Sequence, residues 1–240
     1  MNILSIGNSF SQDAQRYLNR LAKHNGLNVR AVNLYIGGCS LETHYLNMLD
    51  DLPNYTYEFN GESTGLKLSI RQALTSCHWD VITLQQASHY SAKSATYFPY
   101  IEALAAYVRK YCPHAKLVIH ETWAYAEGSD RLKNVAGFES ADDMLAALRD
   151  SYKKAAEAIS AYCTIPCGEA MRYAEKAGIT GIHRDTFHAS LGAGRYLLSL
   201  CWLKTLTGID ISEDSFQGFD APVTDEERAI VIRAVNEATK

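Results

Sequence analysis

The feature that most constrains this chain is a recurring alternation: short apolar or β-branched runs, each followed by a stretch with helical spacing. Five runs read as buried parallel strands, Asn2–Ile6, Val29–Tyr35, Asp80–Gln85, Ala115–His120 and Tyr162–Ile165. Between them, Asp13 to His24 places Ala14, Leu18, Leu21 and Ala22 on one helical face, and Tyr100–Tyr111 and Ala141–Tyr162 behave alike. Strands separated by helices build βαβ units, so the expected fold is a three-layer α/β/α sandwich on a mostly parallel five-stranded, flavodoxin-like sheet. Pro53 to Gly65 breaks the pattern: polar and aromatic residues alternate around Asn60-Gly61, which predicts a small inserted hairpin, read as a surface excursion. Thr224 and Glu227 have the spacing of a capping box for a last helix.

A chain of 240 residues, 47% hydrophobic and 21% charged, suits one full-sized core and is read as a single domain. Its 27 acidic and 23 basic residues give a net charge of −4 with no basic cluster longer than a pair, which argues against nucleic acid as a partner. No run reaches the roughly 18 apolar residues of a membrane span, and Met1–Gly7 lacks the form of a signal peptide. With Met1 as the start, the expectation is a cytoplasmic protein. The six cysteines are scattered and read as free thiols; Cys163 and Cys167 lack the second spaced pair of a zinc site, so no metal is expected.

Gly7-Asn8-Ser9-Phe10-Ser11 follows the first strand and opens a helix, at the carboxyl edge where open α/β sheets bind ligands. A serine there is also a common helix cap. As a nucleophile it needs a base, and the base needs an orienting carboxylate. Asp185-Thr186-Phe187-His188 offers both within one short loop ahead of the apolar helix Ala189–Leu206. His183 precedes Asp185 by only two residues and is the weaker candidate base. His120 and Trp123, at the end of the fourth strand, are candidate cleft residues, as are Asn8 and Tyr90.

In combination these blocks resemble the SGNH hydrolases, the GDSL esterase superfamily, with serine in the first block and Asp-x-x-His in the last. The chain looks most like an uncharacterised bacterial branch with G-N-S-F-S, G-G-C-S-L, a Trp-Asp strand ending L-Q-Q, and D-x-x-H before Gly-Arg-Tyr. These are Gly7–Ser11, Gly37–Leu41, Trp79–Gln86 and Asp185–Tyr196. The resemblance implies a Ser9-His188-Asp185 triad and an oxyanion hole from the Ser9 N–H, a second-block glycine (Gly38, with Gly37 as fallback) and a third-block amide.

Where the family carries asparagine in that third block, this chain reads Leu84-Gln85-Gln86. As in the similar carbohydrate acetylesterases, Gln85 is the expected donor and Gln86 the fallback. The second departure is Asn8 in place of the usual aspartate. The expected reaction is cofactor-free hydrolysis of a short-chain, acetyl-type ester on a carbohydrate, with Tyr90, Trp123 and Tyr125 available to stack on sugar rings. A lipid-ester or thioester hydrolase and a non-catalytic binding module of the same fold stay open as alternatives.

Overall fold

The computed structural model describes residues 1–240. Its single sheet has seven strands, not five, because the hairpin joins it. In chain order they are β1 (Asn2–Gly7), β2 (Arg30–Tyr35), β3 (Tyr55–Phe59), β4 (Glu62–Leu68), β5 (Val81–Leu84), β6 (Lys116–Glu121) and β7 (Cys163–Pro166). They lie in the order β4-β3-β2-β1-β5-β6-β7. The five parallel strands follow the flavodoxin-like order, and β3 pairs antiparallel with β2 from Val32↔Phe59 to Tyr35↔Thr56. The hairpin therefore extends the sheet instead of standing off it. Tyr55 is fully buried on the side of the Leu41–Leu49 helix and Glu58 nearly so on the side of the Ser9–Gln15 helix, so both faces of β3 are covered.

The helices are α1 (Ser9–Gln15), α2 (Leu18–His24), α3 (Leu41–Leu49), α4 (Ile70–Leu74), α5 (Tyr100–Tyr111), α6 (Ala141–Ala158), α7 (Cys167–Lys176), α8 (Ala193–Thr207) and α9 (Asp225–Ala238). Alternate strand residues feed two cores. Ile3, Ala31, Val81, Val118 and Ile165 meet α1, α2, α7, α8 and α9, while Leu4, Val32, Ile82 and Ile119 meet α3 to α6. None of these helices is long and apolar enough to cross a membrane. α9 opens on the Thr224–Glu227 capping box.

The predicted Asp13–His24 helix is two helices, α1 and α2, broken at Arg16 and Tyr17. Both residues are held by distant parts of the chain. Arg16 pairs with Asp220 at 2.6 Å and with Glu62 at 2.5 Å, and Tyr17 accepts a hydrogen bond from the Asp220 N–H at 2.8 Å. These tertiary contacts override a periodicity that runs straight through the break.

Candidate active site

The Gly-Asn-Ser-Phe-Ser block is a tight turn from β1 into α1. A Cβ on Gly7 would overlap Ser11 Oγ, which donates to Asn33 Oδ1 at 2.8 Å and accepts from the Asn8 N–H at 3.0 Å. Asn33 in turn donates to Glu58 Oε2 at 2.8 Å, and Gln12 also donates to Glu58, so the hairpin carboxyl anchors the turn from beneath. Burial pushes the Glu58 carboxyl above its usual range, against the lowering effect of those donors.

Asn8 caps α1 by accepting from the Phe10 N–H at 2.9 Å, and its Nδ2 donates to the Cys39 carbonyl at 3.2 Å. The donors around Oδ1 fix which end of the amide points where. An aspartate could cap the helix but could not donate to Cys39. Asn8 thus ties the Ser9 turn to the Gly37-Gly38-Cys39 turn.

Ser9 Oγ lies 2.8 Å from His188 Nε2, and His188 Nδ1 lies 2.7 Å from Asp185 Oδ2. The other Asp185 oxygen accepts from the His188 N–H at 2.8 Å and the Phe187 N–H at 3.4 Å. Burial alone would raise the Asp185 pKa, but the His188 and Phe187 donors and the imidazole outweigh it, so the carboxyl sits below its ordinary value. With Nδ1–H directed to the carboxylate, Nε2 is left to accept a hydrogen bond from the Ser9 hydroxyl. This loop holds Thr186 at a φ of +71°. It is pinned by the Ala126 N–H on the Thr186 carbonyl at 2.8 Å and by Trp123 Nε1 on the Phe187 carbonyl at 2.7 Å.

An ion cluster around the buried Asp13 joins the loop to the helix that carries Ser9. Asp13, on α1, is fully buried and bonds Arg184 at 2.9 and 3.0 Å and Arg195 at 2.8 Å. Asp13 is the one fully buried member, and without the two arginines its carboxylate would be stranded at a cost of about 3–5 kcal/mol. Asp13 therefore ties α1, which carries Ser9, to the segment that leads into the Asp185–His188 loop and to α8.

The cleft over Ser9 encloses about 300 Å³ and is lined by Asn8, Ser9, Phe10, Tyr35, Gly37, Gly38, Ser88, His89, Arg131, Phe187 and His188. Three surface hollows are larger, beside α6, beside α9 and beside Met1 and Tyr162, and none of them brings a serine and a histidine together. Gly38, at a φ of +64°, sits on the cleft with its N–H free of any protein acceptor. The Ser9 N–H, first in its helix, has no intrahelical partner either.

The glutamines are elsewhere. Gln85 is buried; its Nε2 donates to Asn8 Oδ1 at 2.7 Å and its Oε1 faces His120 Nδ1 at 2.7 Å. Gln86 donates to the Thr96 carbonyl at 2.9 Å and accepts from the Leu41 and Ala87 N–H groups. Neither lines the cleft, so the expected third-block donor is not supplied there: Gln85 braces Asn8, and Gln86 ties three loops together.

The other cleft candidates need the same correction. His120 is fully buried against Trp202, and burial drives its pKa down to about 3, so it is neutral. Trp123 and Tyr125 are fully buried and unavailable for stacking on a ligand; Trp123 lies under the cleft, 4.1 Å from Phe10 ring to ring. Tyr90 stands outside, against His89, and His183 Nε2 faces the Ala124 carbonyl at 3.1 Å. The aromatic walls are instead Tyr35 and Phe187, both half-buried. Phe187 and Tyr35 sit inside or beside motifs already recognised, and Ser88 and His89 follow the L-Q-Q strand. Arg131, which opens a short π-helical turn over Arg131–Ala136, carries no sequence signal.

Sheet order and strand-end blocks define an SGNH-type hydrolase fold, and known structures agree. A proposed SGNH hydrolase of Slackia heliotrinireducens is 26% identical with a TM-score of 0.61, over 86% of this chain and 98% of its own. An acetylxylan esterase of Geobacillus stearothermophilus shares the fold at 16% identity and a TM-score of 0.51, over 85% of this chain and 92% of its own. Within that class, the chain belongs to the family described as a domain of unknown function, DUF4886, whose model matches residues 2–237. A Bacteroides uniformis member is 32% identical with a TM-score of 0.92, over 99% of this chain and 94% of its own. No curated protein matches the sequence.

Proposed function

We propose that this chain is a serine esterase that removes a short acyl group, of acetyl size, from a carbohydrate ester. The observation that carries the reading is the hydrogen-bonded line from Ser9 Oγ through His188 to Asp185, at 2.8 and 2.7 Å, opening on a cleft of about 300 Å³.

In this reading His188 Nε2 takes the Ser9 proton as Oγ attacks the ester carbonyl, and Asp185 holds the imidazole in the required tautomer and stabilises the imidazolium. The tetrahedral oxyanion is met by the Ser9 and Gly38 N–H groups. His188 then returns the proton to the leaving alcohol oxygen, giving acyl-Ser9. Water, deprotonated by His188, attacks the acyl carbon, and Ser9 leaves with the proton as the carboxylic acid departs. The small volume and the half-buried rings of Tyr35 and Phe187 favour a short acyl group and a sugar-like alcohol over a long lipid chain.

The test is hydrolysis of p-nitrophenyl esters of increasing acyl length. Wild type should prefer acetate, with kcat/KM falling as the chain lengthens, and Ser9→Ala should lose on the order of 10⁴-fold or more in kcat. Equal rates for the two proteins would remove Ser9 from the reaction, and a preference for long chains would remove the short-acyl assignment.

A further inference from the structure

The lining of the cleft is electrically lopsided. It contains no acidic side chain, and Arg131 is its arginine. Arg131 is half-buried and makes no ion pair or hydrogen bond with the protein. Its guanidinium lies 3.8 Å from the centre of the Phe187 ring and 5.7 Å from that of Tyr125. Phe187 is in turn 3.8 Å, ring centre to ring centre, from His188. The cation is thus set one aromatic ring away from the base.

The segment that carries Arg131 is anchored. Leu132 is fully buried and its N–H donates to Ser129 Oγ at 3.2 Å, while the Phe138 N–H returns to the Leu132 carbonyl at 3.1 Å. Next to Arg131 on the lining is His89, whose pKa is lowered by burial and by the charges of Lys93 and Arg131. The lining thus offers the Arg131 cation with no carboxylate beside it to neutralise it.

A guanidinium packed over a ring and bonded to no protein acceptor keeps its N–H fork free, and that fork suits a carboxylate. The chain as a whole is acidic, at −4, so a local cation is what would draw an anionic group inward. We infer that the cleft selects an ester that carries a carboxylate, with Arg131 as the residue that recognises it. This rests on the esterase reading for the reaction but not for the binding site itself. The carboxylate can sit on the acyl part, as in a dicarboxylic half-ester, or on the alcohol part, as in an acylated acidic sugar.

Two matched pairs separate these sources. Mono-(4-nitrophenyl) glutarate and its methyl ester differ only in a charge on the acyl side; 4-acetoxybenzoate and its methyl ester differ only in a charge on the alcohol side. In the non-reacting Ser9→Ala background, NMR titration should give a Kd at least about tenfold lower for the anionic member of one pair, and adding Arg131→Gln should abolish that preference. Arg131→Lys should restore part of it, since it keeps the charge and loses the fork.

With Ser9 present, the anionic-to-neutral ratio of kcat/KM should fall about tenfold in Arg131→Gln. The inference is overturned if neither pair is discriminated, or if Arg131→Gln lowers both members equally, which would make Arg131 a donor to the reacting oxygen or a structural plate for Phe187. Charge-selective binding without turnover of any ester would instead overturn the esterase reading and leave the anion site standing.

Discussion

The carboxyl ends of β1 and β5 each present an amide to the same corner of the molecule, with opposite results. Asn8 lies at the cleft and organises it: one side-chain amide caps α1, holds the Gly38 turn and receives Gln85. Gln85, one strand over, is turned inward and reaches the reaction only through Asn8. A residue's place at a strand end therefore does not settle whether it faces ligand or core. The direction is set by what lies behind the strand, and behind β5 lie His120 and the large indole of Trp202.

The comparison can be broken by removing what holds each side. The largest effect is expected for Asp13→Ala, which removes the charged hydrogen bonds that Arg184 and Arg195 make to it and leaves Arg195 with Asp220: about 3–4 kcal/mol of stability lost in denaturant unfolding. The ester rate should fall with it as His188 drifts from Ser9.

A smaller effect belongs to Glu121, the polar residue at the end of β6 that turns to the α6 side. Burial pushes its pKa up from 4.5 to about 7, partly opposed by the Arg149 charge. The folded chain thus binds this proton more tightly than the unfolded chain. Its contribution to stability is full below the unfolded pKa and is lost as pH rises from about 4.5 through 7. Glu121→Gln should flatten that slope and stabilise the protein above pH 7, by up to about 3 kcal/mol, in melts across pH 4 to 8.

Gln85→Ala sharpens the contrast with Asn8. It leaves His120 Nδ1 without its partner and opens a cavity, for about 2 kcal/mol of stability, while kcat stays within roughly tenfold of wild type. Were Gln85 an oxyanion donor, kcat would fall by about 10²–10³-fold instead. The smallest change is Asn8→Asp, which keeps the cap and loses the hydrogen bond to Cys39. It should lower kcat/KM about tenfold through the Gly38 turn, with about 1 kcal/mol of stability lost.

Much of this was legible in the sequence, and for physical reasons. The five parallel strands are buried on both faces and read as plain apolar runs, and the helices between them call for parallel pairing. Ser9, Asp185, His188 and Gly38 are tied to local turn chemistry, so short motifs carry their positions. The hairpin's union with β2 was not legible, since its register depends on the burial of Tyr55 and Glu58 by distant residues. Nor were the inward turn of Gln85, the Asp13–Arg184–Arg195 cluster or Arg131 beside Phe187. Each depends on partners tens of residues away, or more, that no spacing rule relates.

The central claim is that Ser9 is the nucleophile, and covalent labelling tests it most directly. A fluorophosphonate probe should add a single label to the peptide that carries Ser9, located by mass spectrometry. Ser9→Ala should take up none, and His188→Ala should react far more slowly because nothing removes the serine proton. Labelling at another residue, or equal labelling of Ser9→Ala, would contradict the account.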